Sequence, residues 1–570
     1  MKKLFQSLAC FNARCNQDGK RDYVRWLLAA LAVALAWTQR FIQDDAFISF
    51  RYARSLAAGH GLIWNLGERV EGYTNFLWTV CMTPAFWLGV DVVAWGHAVS
   101  LAAFAVTLCV SSRLAETWWR NRVAGWLAIL FLSCNYSFLH YATGGLETQF
   151  GIAWVMLGIW LLQSERHVFA ALATACAVMT RMDAVLLLFP FWCAAAWRVW
   201  SGAPAAGTLS RNLRFARLCL AAMCGAVPVV AWLLWRHNYY GAWVPNTWLI
   251  KSGGPTALRG LAYVVLFYAL SGIFLTLPLV VAMRRELPRM TGFFAVLAAW
   301  LLWQAYLVRV GGDFMEFRMM MPVTPFIMIV LSGLLATPGA RGWLRMATAA
   351  SLLFMSAILG IARQQSLGGV GSFAESRQVH AEWTYYAREL QRLLGGQCGG
   401  VKIAITAAGI IPFYTQMPAL DQLGLNDREI ALAGDAITPM SKWLGNRPGH
   451  TRMARWETLV EKNTNLVINH PWVVDKDDPA LNCTAEQIAR FWFYYEVKDF
   501  SRKPCFATFI TDGHEVPPTI AWPLGNGQFW LMIYITPHPA VDAAIERSGA
   551  RVILPRTVEP SAGSGKNPEP

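Results

Sequence analysis

Gln43-Asp44-Asp45-Ala46-Phe47-Ile48-Ser49-Phe50-Arg51-Tyr52 follows closely on an uncharged run of thirteen residues, Leu27 to Gln39. The run reads as most of a membrane helix, so two adjacent carboxylates stand at its mouth. Ionised neighbours repel, and a low-dielectric bilayer beside them makes both charges costly unless they serve a purpose. The bland alternative is a helix cap, with Asp45 capping a helix that starts at Ala46 and carries the amphipathic set Phe47, Phe50, Arg51 and Arg54. A cap explains neither the second acid nor the Gly-rich polar tract downstream, and catalysis is the favoured reading.

The surrounding composition sets the class. Of 570 residues 55% are hydrophobic and only 15% charged, with 28 Trp and 31 Phe; soluble proteins average about 25% charged. The chain therefore reads as a polytopic α-helical membrane protein. Its net charge of +14 lies largely in short loops between apolar segments, as the positive-inside rule requires, and needs no nucleic acid. Anionic membrane lipid can meet part of it. The first 25 residues read as a cytoplasmic tail before an uncleaved first span.

Working outward, residues 40–94 form a first large outer loop. It contains the Asp pair, an interfacial helix over 46–57, and the tract Gly59 to Asn75, whose glycines mark turns and whose polar groups need partners. The segment 76–90, short and containing Pro84, reads as interfacial or re-entrant. Spans follow near 95–111, 122–138, 146–162, 168–180, 184–199, 218–235, 258–282, 292–307, 319–336 and 342–361. With the first, they make about eleven. An odd count puts the C-terminal residues on the side of Asp44 and Asp45, and it also puts every polar, aromatic loop there: His140 to Glu147, Arg181 to Asp183, Arg236 to Lys251, and Arg309 to Arg318.

Residues 365–556 read as a soluble α/β domain outside the membrane. Gln364 to Ser376 forms a linker and Val379 to Leu394 a helix. Val401 to Thr406, Ala419 to Leu425, Leu466 to Asn469 and Phe506 to Ile510 supply strands. The tail 557–570 is rich in Pro, Gly and Ser and reads as disordered. Of twelve Cys, most sit in apolar runs as small buried hydrophobes. Cys483 and Cys505 are the best candidates for a disulfide if the C-terminal part lies in an oxidising compartment.

The outer loops gather Asp44, Asp45, Arg51, Glu71, Asn75, Glu147, Arg181, Asp183, Asn246, Lys251, Asp313, Glu316 and Arg318. So many polar groups at one membrane face fit a water-filled cavity for an amphiphile with a polar head and an apolar tail. Arg and Lys suit a phosphate, and a carboxylate suits proton removal from an attacking hydroxyl. In the soluble part Asn426, Asp427, Arg447 and His450 stand out as possible acceptor contacts, against a plain reading as turn residues. His residues are scattered without metal-ligand spacing, and Gly311-Gly312-Asp313 lacks the Gly-Lys-Ser/Thr of a phosphate loop. No cofactor and no metal are expected.

The chain resembles polyprenyl-phosphate-dependent membrane glycosyltransferases of the GT-C fold, and more specifically the terminal arabinofuranosyltransferase (AftB) family with its proteobacterial relatives. The resemblance is carried by Asp44 to Tyr52, Gly61 to Asn75 with its core Gly67-Glu68-Arg69-Val70-Glu71-Gly72-Tyr73, Pro245-Asn246-Thr247, Gly311-Gly312-Asp313 through Arg318, and Gly424-Leu425-Asn426-Asp427 with Arg447-Pro448-Gly449-His450. It implies a bacterial inner-membrane enzyme with a periplasmic C-terminal domain. That enzyme would move a pentofuranose, D-arabinofuranose by the resemblance, from a polyprenyl-phosphate sugar to a hydroxyl of a periplasmic glycan or glycoprotein. By similarity Asp44 is the first choice for the catalytic carboxylate, with Asp45 orienting it or exchanging roles. Arg51, Lys251 and Arg318 are candidates for the donor phosphate, and Glu71, Asn246 and Asp313 for sugar hydroxyls or cavity architecture. Rival readings are transfer of another lipid-linked sugar or of aminoarabinose, a lipid-sugar transporter, and a non-catalytic envelope assembly factor. A transporter predicts internal repeats and polar groups within several spans, whereas here the polar groups gather on one face.

Overall fold

The computed structural model describes residues 22–201, 210–252, 257–315, 317–339, 341–362, 373–437, 448–485, 487, 488 and 516–554. It divides into two compact units: the first comprises the described residues up to His380 together with Pro448, and the second the rest from Ala381 onward. The seam thus falls inside the helix Phe373–Leu393, later than the composition change after residue 364. That helix also starts before Val379, so the expected linker is already helical at Phe373.

The first unit is helical. Among the described residues five helices are long and apolar enough to cross a membrane: Val92–Trp119, Met182–Ser201, Arg211–Tyr240, Phe293–Val310 and Arg318–Ala336. The shorter apolar helices Tyr23–Thr38, Phe76–Trp87, Arg122–Cys134, Thr148–Gln163 and His167–Thr180 pack among them. At 1.5 Å per residue a twelve-residue helix such as Phe76–Trp87 reaches only about 18 Å, too short to span.

One expected span is corrected. Residues 258–282 do not form a continuous helix; Ala257–Leu270 and Ile273–Ala282 meet at 66°. The break lies at Gly272, with φ of +72° and its Cα against the Ser351 and Met355 backbone and side chain. A side chain there would meet both the conformational and the steric penalty.

At one end of the bundle the first helix is locked by charge. Arg25, 1% exposed, donates from Nε to Ser112 Oγ at 2.9 Å and pairs with Asp22 at 3.0 Å and with Glu116. Two carboxylates against one buried guanidinium compensate its desolvation.

The second unit carries a six-stranded mixed sheet in the order β2-β1-β5-β7-β6-β8. The strands are β1 (Ile403–Ile405), β2 (Ala419–Asp421), β5 (Leu466–Asp475), β6 (Thr519–Pro523), β7 (Gln528–Tyr534) and β8 (Arg551–Ile553), while β3 (Asp435–Ala436) and β4 (Arg452–Met453) form a separate ladder. β1 runs parallel to β2 and β5, and β5, β6, β7 and β8 pair antiparallel. The core is apolar on both faces of the parallel part, with Ile403, Ala404, Ile405, Leu466, Val467 and Ile468 all buried, the pattern of a parallel strand covered on both sides. The α/β character was legible in the sequence. The antiparallel half was not, and the expected strand 506–510 lies outside the described residues, as does Cys505 of the expected disulfide.

Candidate active site

The Asp pair opens a helix, Asp44–Ala57, and does not cap one. The helix begins at Asp44, and its cap residue Gln43 makes no side-chain capping bond. The expected cap by Asp45 before Ala46 is therefore corrected. Both acids occupy the first turn, where the helix dipole favours negative charge. Gln43 N–H donates to Gly144 O at 3.1 Å. That contact needs glycine next door: at Gly145, with φ of +77°, a Cβ would lie 2.2 Å from Ile42 Cδ1. The loop carrying Glu147 thus sits against the residues preceding the Asp pair.

Asp45 is half-buried and lies within electrostatic reach of Arg318, Lys251, Asp313 and Glu147. Burial raises its pKa above the usual carboxylate value, although Arg318 and Lys251 pull it down. Lys251, on the short helix Asn246–Ser252, is lowered by burial and by Arg318. Among the described residues its ammonium makes no ion pair or hydrogen bond.

Asp313 and Arg318 come from one loop. Arg318 Nε donates to Asp313 Oδ2 at 2.8 Å, and Phe314 N–H donates to Oδ1 at 2.8 Å. Burial would raise Asp313, but Arg318 and Lys251 outweigh it and hold the carboxyl below its usual range. The loop is tightly specified. Gly312, at φ +74°, packs where a Cβ would stand 2.5 Å from the Tyr263 ring, and Phe317 adopts φ +43° just before Arg318. A non-glycine residue in that region costs on the order of 1–3 kcal/mol and persists where surroundings over-determine it.

A second group joins Arg181, Asp183, Glu147 and Asn75. Arg181 grips Asp183 with two bonds, at 3.1 and 2.6 Å, and donates from Nη1 to Glu147 Oε1 at 2.9 Å. Tyr306 hydroxyl donates to Asp183 Oδ2 at 3.1 Å. Asn75 Nδ2 donates to Glu147 Oε2 at 3.0 Å and to Ser49 Oγ at 3.1 Å. Ser49 stands one helical turn from Asp45, on the same face. A continuous set of bonds therefore runs from the helix of Asp45 through Ser49, Asn75 and Glu147 to Arg181.

Beside these groups lies a small crevice. Arg181, Asp183 and Arg318 line it with Thr148, while Gly151, Ile152, Val155 and Leu187 supply apolar walls. It joins charge to hydrocarbon within one opening.

Three other expected site residues have structural partners. Arg51 donates to Trp64 O at 2.7 Å and Asn65 Oδ1 at 3.1 Å and stacks on the Trp64 ring, 4.6 Å from its centroid. It holds the Gly-rich tract onto the helix, as does Tyr52, whose hydroxyl donates to Val70 O and accepts from Gly72 N–H. Glu71, 3% exposed, pairs at 3.0 Å with Arg236, 1% exposed. Asn246 N–H donates to Glu71 O at 2.9 Å.

In the second unit, Asn426 donates to Asp421 from its backbone and its side chain, at 3.0 and 2.9 Å. Asp427 caps the helix Arg428–Ala433 and pairs with Lys462 at 2.6 Å. His450 is half-buried. Arg447 and Glu316 lie outside the described residues.

The sequence reading did not single out Ser49, Arg236 or Tyr306 as site residues. Ser49 and Tyr306 sit within runs that read as an ordinary helix face and an apolar span, and only the packing turns their hydroxyls toward Asn75 and Asp183. The signal for Arg236 was its place in an aromatic outer loop.

Over 363 residues, 55% of this chain and 52% of the relative, the sequence is 27% identical to a terminal β-(1→2)-arabinofuranosyltransferase of Corynebacterium glutamicum. Over 355 residues, 52% of this chain and 53% of the relative, it is 28% identical to the protein of the same name from Mycobacterium tuberculosis. The chain is similar to terminal arabinofuranosyltransferases. It spans about half the length of these curated relatives. Residues 376–514 match the model of a domain of unknown function (DUF8728). Among solved structures, ArnT from Cupriavidus metallidurans bound to undecaprenyl phosphate superposes with a TM-score of 0.51 at 12% identity, over 70% of this chain and 85% of that one. Its apo state gives 0.50 at 14% identity, over 69% and 84%. This likeness shows the fold: a GT-C-like polytopic helical membrane protein, as the resemblance implied.

Proposed function

We propose that the protein is a membrane glycosyltransferase that moves a pentofuranose, D-arabinofuranose by similarity, from a polyprenyl phosphate to a hydroxyl of a glycan outside the bacterial inner membrane. The observation that carries this reading is the crevice at Arg181, Asp183 and Arg318. Its cationic end suits a phosphate and its apolar walls suit a prenyl chain, and Asp45 lies within electrostatic reach of the same Arg318. Partial sequence similarity to named arabinofuranosyltransferases supports the donor class.

In this mechanism Arg318 and Lys251 hold the donor phosphate. Lys251 has the freer ammonium, whereas Arg318 is shared with Asp313. The bond between the anomeric carbon and the phosphate oxygen breaks, and the phosphate leaves with the electron pair. The acceptor hydroxyl attacks the developing oxocarbenium centre and gives its proton to a carboxylate. The sequence favoured Asp44 for that base. We assign that role to Asp45, whose carboxyl is raised by burial above its usual range and whose neighbours Arg318 and Lys251 are the proposed phosphate-binding cations. Asp44 is then the flanking acid in the same helical turn. Arg181 is committed to Asp183 and Glu147 and shapes the crevice.

The span count of eleven and the placement of the second unit on the side of Asp45 belong to the same proposal. A reporter fused after Ser366 should be active outside the inner membrane. The chemistry is tested by incubating purified protein with a panel of polyprenyl-phosphate pentoses and hexoses and an arabinan acceptor. Turnover of a hexose donor alone overturns the pentofuranose assignment.

A further inference from the structure

The ends of the three parallel strands in the second unit share a change of character. β1 is apolar until Ile405 and then reaches Thr406. β2 ends at Asp421 and is followed by Gln422, whose N–H donates to Ile405 O at 2.9 Å. β5 is apolar through Ile468 and then carries Asn469 and His470. The pairing of Ile405 with Asp421, and of Ala404 with Val467, puts Gln422, Thr406 and Asn469 at one level across the sheet. Hydroxyl, amide and imidazole groups replace aliphatic ones in all three strands at that level.

These groups engage one another but are not all satisfied. Thr406 Oγ1 and His470 Nδ1 share a hydrogen bond of 2.8 Å. Gln422 Nε2 donates to Asn469 Oδ1. Gln422 Oε1 and Asn469 Nδ2 are then left buried with no partner among the described residues. A buried amide atom without a partner costs on the order of 1–3 kcal/mol, so a fully buried amide pair is a poor way to end a sheet for stability alone. Asn469 also has φ of +53°, and the register between β5 and β7 shifts between Val467 and Trp472. Such a bulge turns His470 outward. His470 is exposed, and the half-buried Trp383 meets it edge-on, with ring centroids 5.7 Å apart. Ala407, Ala408 and Gly409 follow β1 and add no bulk.

In open sheets, ligands enter outside the carboxyl ends of parallel strands. The ligand chemistry follows from what lines this corner. Amides, a hydroxyl and an imidazole offer both donors and acceptors, and an indole offers an apolar face. None of Thr406, Gln422, Asn469, His470 and Trp383 carries a fixed charge. Asp421, next to them, is spent on its own turn, accepting from Leu423 N–H at 3.1 Å and from Asn426 at 3.0 and 2.9 Å. Among the described residues forming this corner a phosphate or carboxylate would find no cation, whereas a neutral polyol would find matched hydrogen bonds.

We propose that the corner formed by Thr406, Gln422, Asn469, His470 and Trp383 is a second binding site, specific for a neutral oligosaccharide, which holds the acceptor glycan. That the bound glycan is the acceptor rests on the transferase reading; glycan binding itself does not. His470 and Trp383 make the outer contacts. Thr406 and the amide pair behind them meet a hydroxyl directed inward.

The test uses the full chain in detergent with a synthetic linear arabinofuranosyl hexasaccharide, a galactofuranosyl hexasaccharide as a second neutral probe, and free undecaprenyl phosphate as a control. His470→Ala and Trp383→Ala are compared with wild type by titration, and Thr406→Val is added because it removes one hydroxyl at constant volume. Circular dichroism and the affinity for undecaprenyl phosphate report folding. The expected result is binding of at least one hexasaccharide by wild type, weakened about tenfold or more in the His470 and Trp383 variants, with lipid affinity unchanged. The site is overturned if wild type binds neither hexasaccharide, or if the affinity survives all three substitutions. It is also overturned if only Asp45→Asn weakens glycan binding. Failure of the transferase reading appears separately, as hexasaccharide bound at His470 with no sugar transferred to it.

Discussion

Asn75 Nδ2 donates to Glu147 Oε2 at 3.0 Å, tying the end of the Gly-rich tract to the start of the helix Thr148–Gln163. Because Asn75 also binds Ser49, and Glu147 also binds Arg181, this one contact couples the helix of Asp45 to the crevice. Asn75 and Glu147 are both buried, so neither can turn to water when its partner is removed. Glu147→Ala should therefore destabilise the protein by about 3–5 kcal/mol, the range for breaking a buried ion pair from one side, and Asn75→Ala by about 1–3 kcal/mol. Thermal unfolding in detergent reads both. The double variant should lose less than the sum of the two; strict additivity would show that the contact does not couple them.

The acid limb of the activity profile should respond to charges around Asp45 with opposite signs. A base acts when deprotonated, so activity rises with pH through the pKa of Asp45, which stands above the usual carboxylate value. Lys251 lowers that pKa and Asp313 raises it. Lys251→Ala should shift the limb to higher pH, and Asp313→Asn should shift it to lower pH. Rate against pH at saturating donor measures both shifts, and movement in the same direction would remove Asp45 as the titrating base.

Arg51 and Lys251 should separate cleanly. Arg51 is bonded to the tract at Trp64 and Asn65, so Arg51→Ala should cost about 1–3 kcal/mol of stability while leaving affinity for polyprenyl phosphate largely intact. Lys251 has no ion-pair or hydrogen-bond partner among the described residues. Lys251→Ala should leave stability nearly unchanged and weaken the lipid by about 10- to 150-fold, the worth of one charge-assisted hydrogen bond. Parallel titrations with undecaprenyl phosphate and melting curves distinguish the two residues.

Much of this was legible in the sequence, and what escaped it has physical causes. Membrane character, the mixed α/β second unit and the polar loops follow from composition and from where Lys and Arg fall. Packing decided the rest. Asp313 and Arg318 share a loop and were easily suspected together, but Glu71 and Arg236 are 165 positions apart and nothing local pairs them. Arg51 was expected at the donor phosphate by similarity and as a cation near the membrane interface. Its stacking on Trp64 depends on how the tract folds back. The bend at Gly272 was hidden because hydropathy is blind to a backbone that turns within an apolar run.

Asp421 gives the second unit its own pH signature. Burial lifts its carboxyl to about 6, against the hydrogen bonds from Asn426 and Leu423. A raised pKa in the folded state favours the protonated form. Its contribution is thus fully present below the unfolded value near 4 and is lost as pH rises through about 6. Asp421→Asn, which does not titrate, should flatten the stability profile of the second unit between those limits. Hydrogen exchange at β1 and β2 against pH reports it; an unchanged slope in the variant would assign the titration elsewhere.

In the proposed reaction Asp45 removes the acceptor proton as the sugar leaves its polyprenyl phosphate. The most direct test is single-turnover transfer of radiolabelled arabinofuranose from the lipid donor to an arabinan acceptor, comparing wild type, Asp44→Asn and Asp45→Asn at matched lipid occupancy. Asp45→Asn should lower the rate by about a hundredfold or more with donor binding retained, and Asp44→Asn should lose less. Transfer by Asp45→Asn at close to the wild-type rate, with the loss confined to Asp44→Asn, would contradict that role for Asp45.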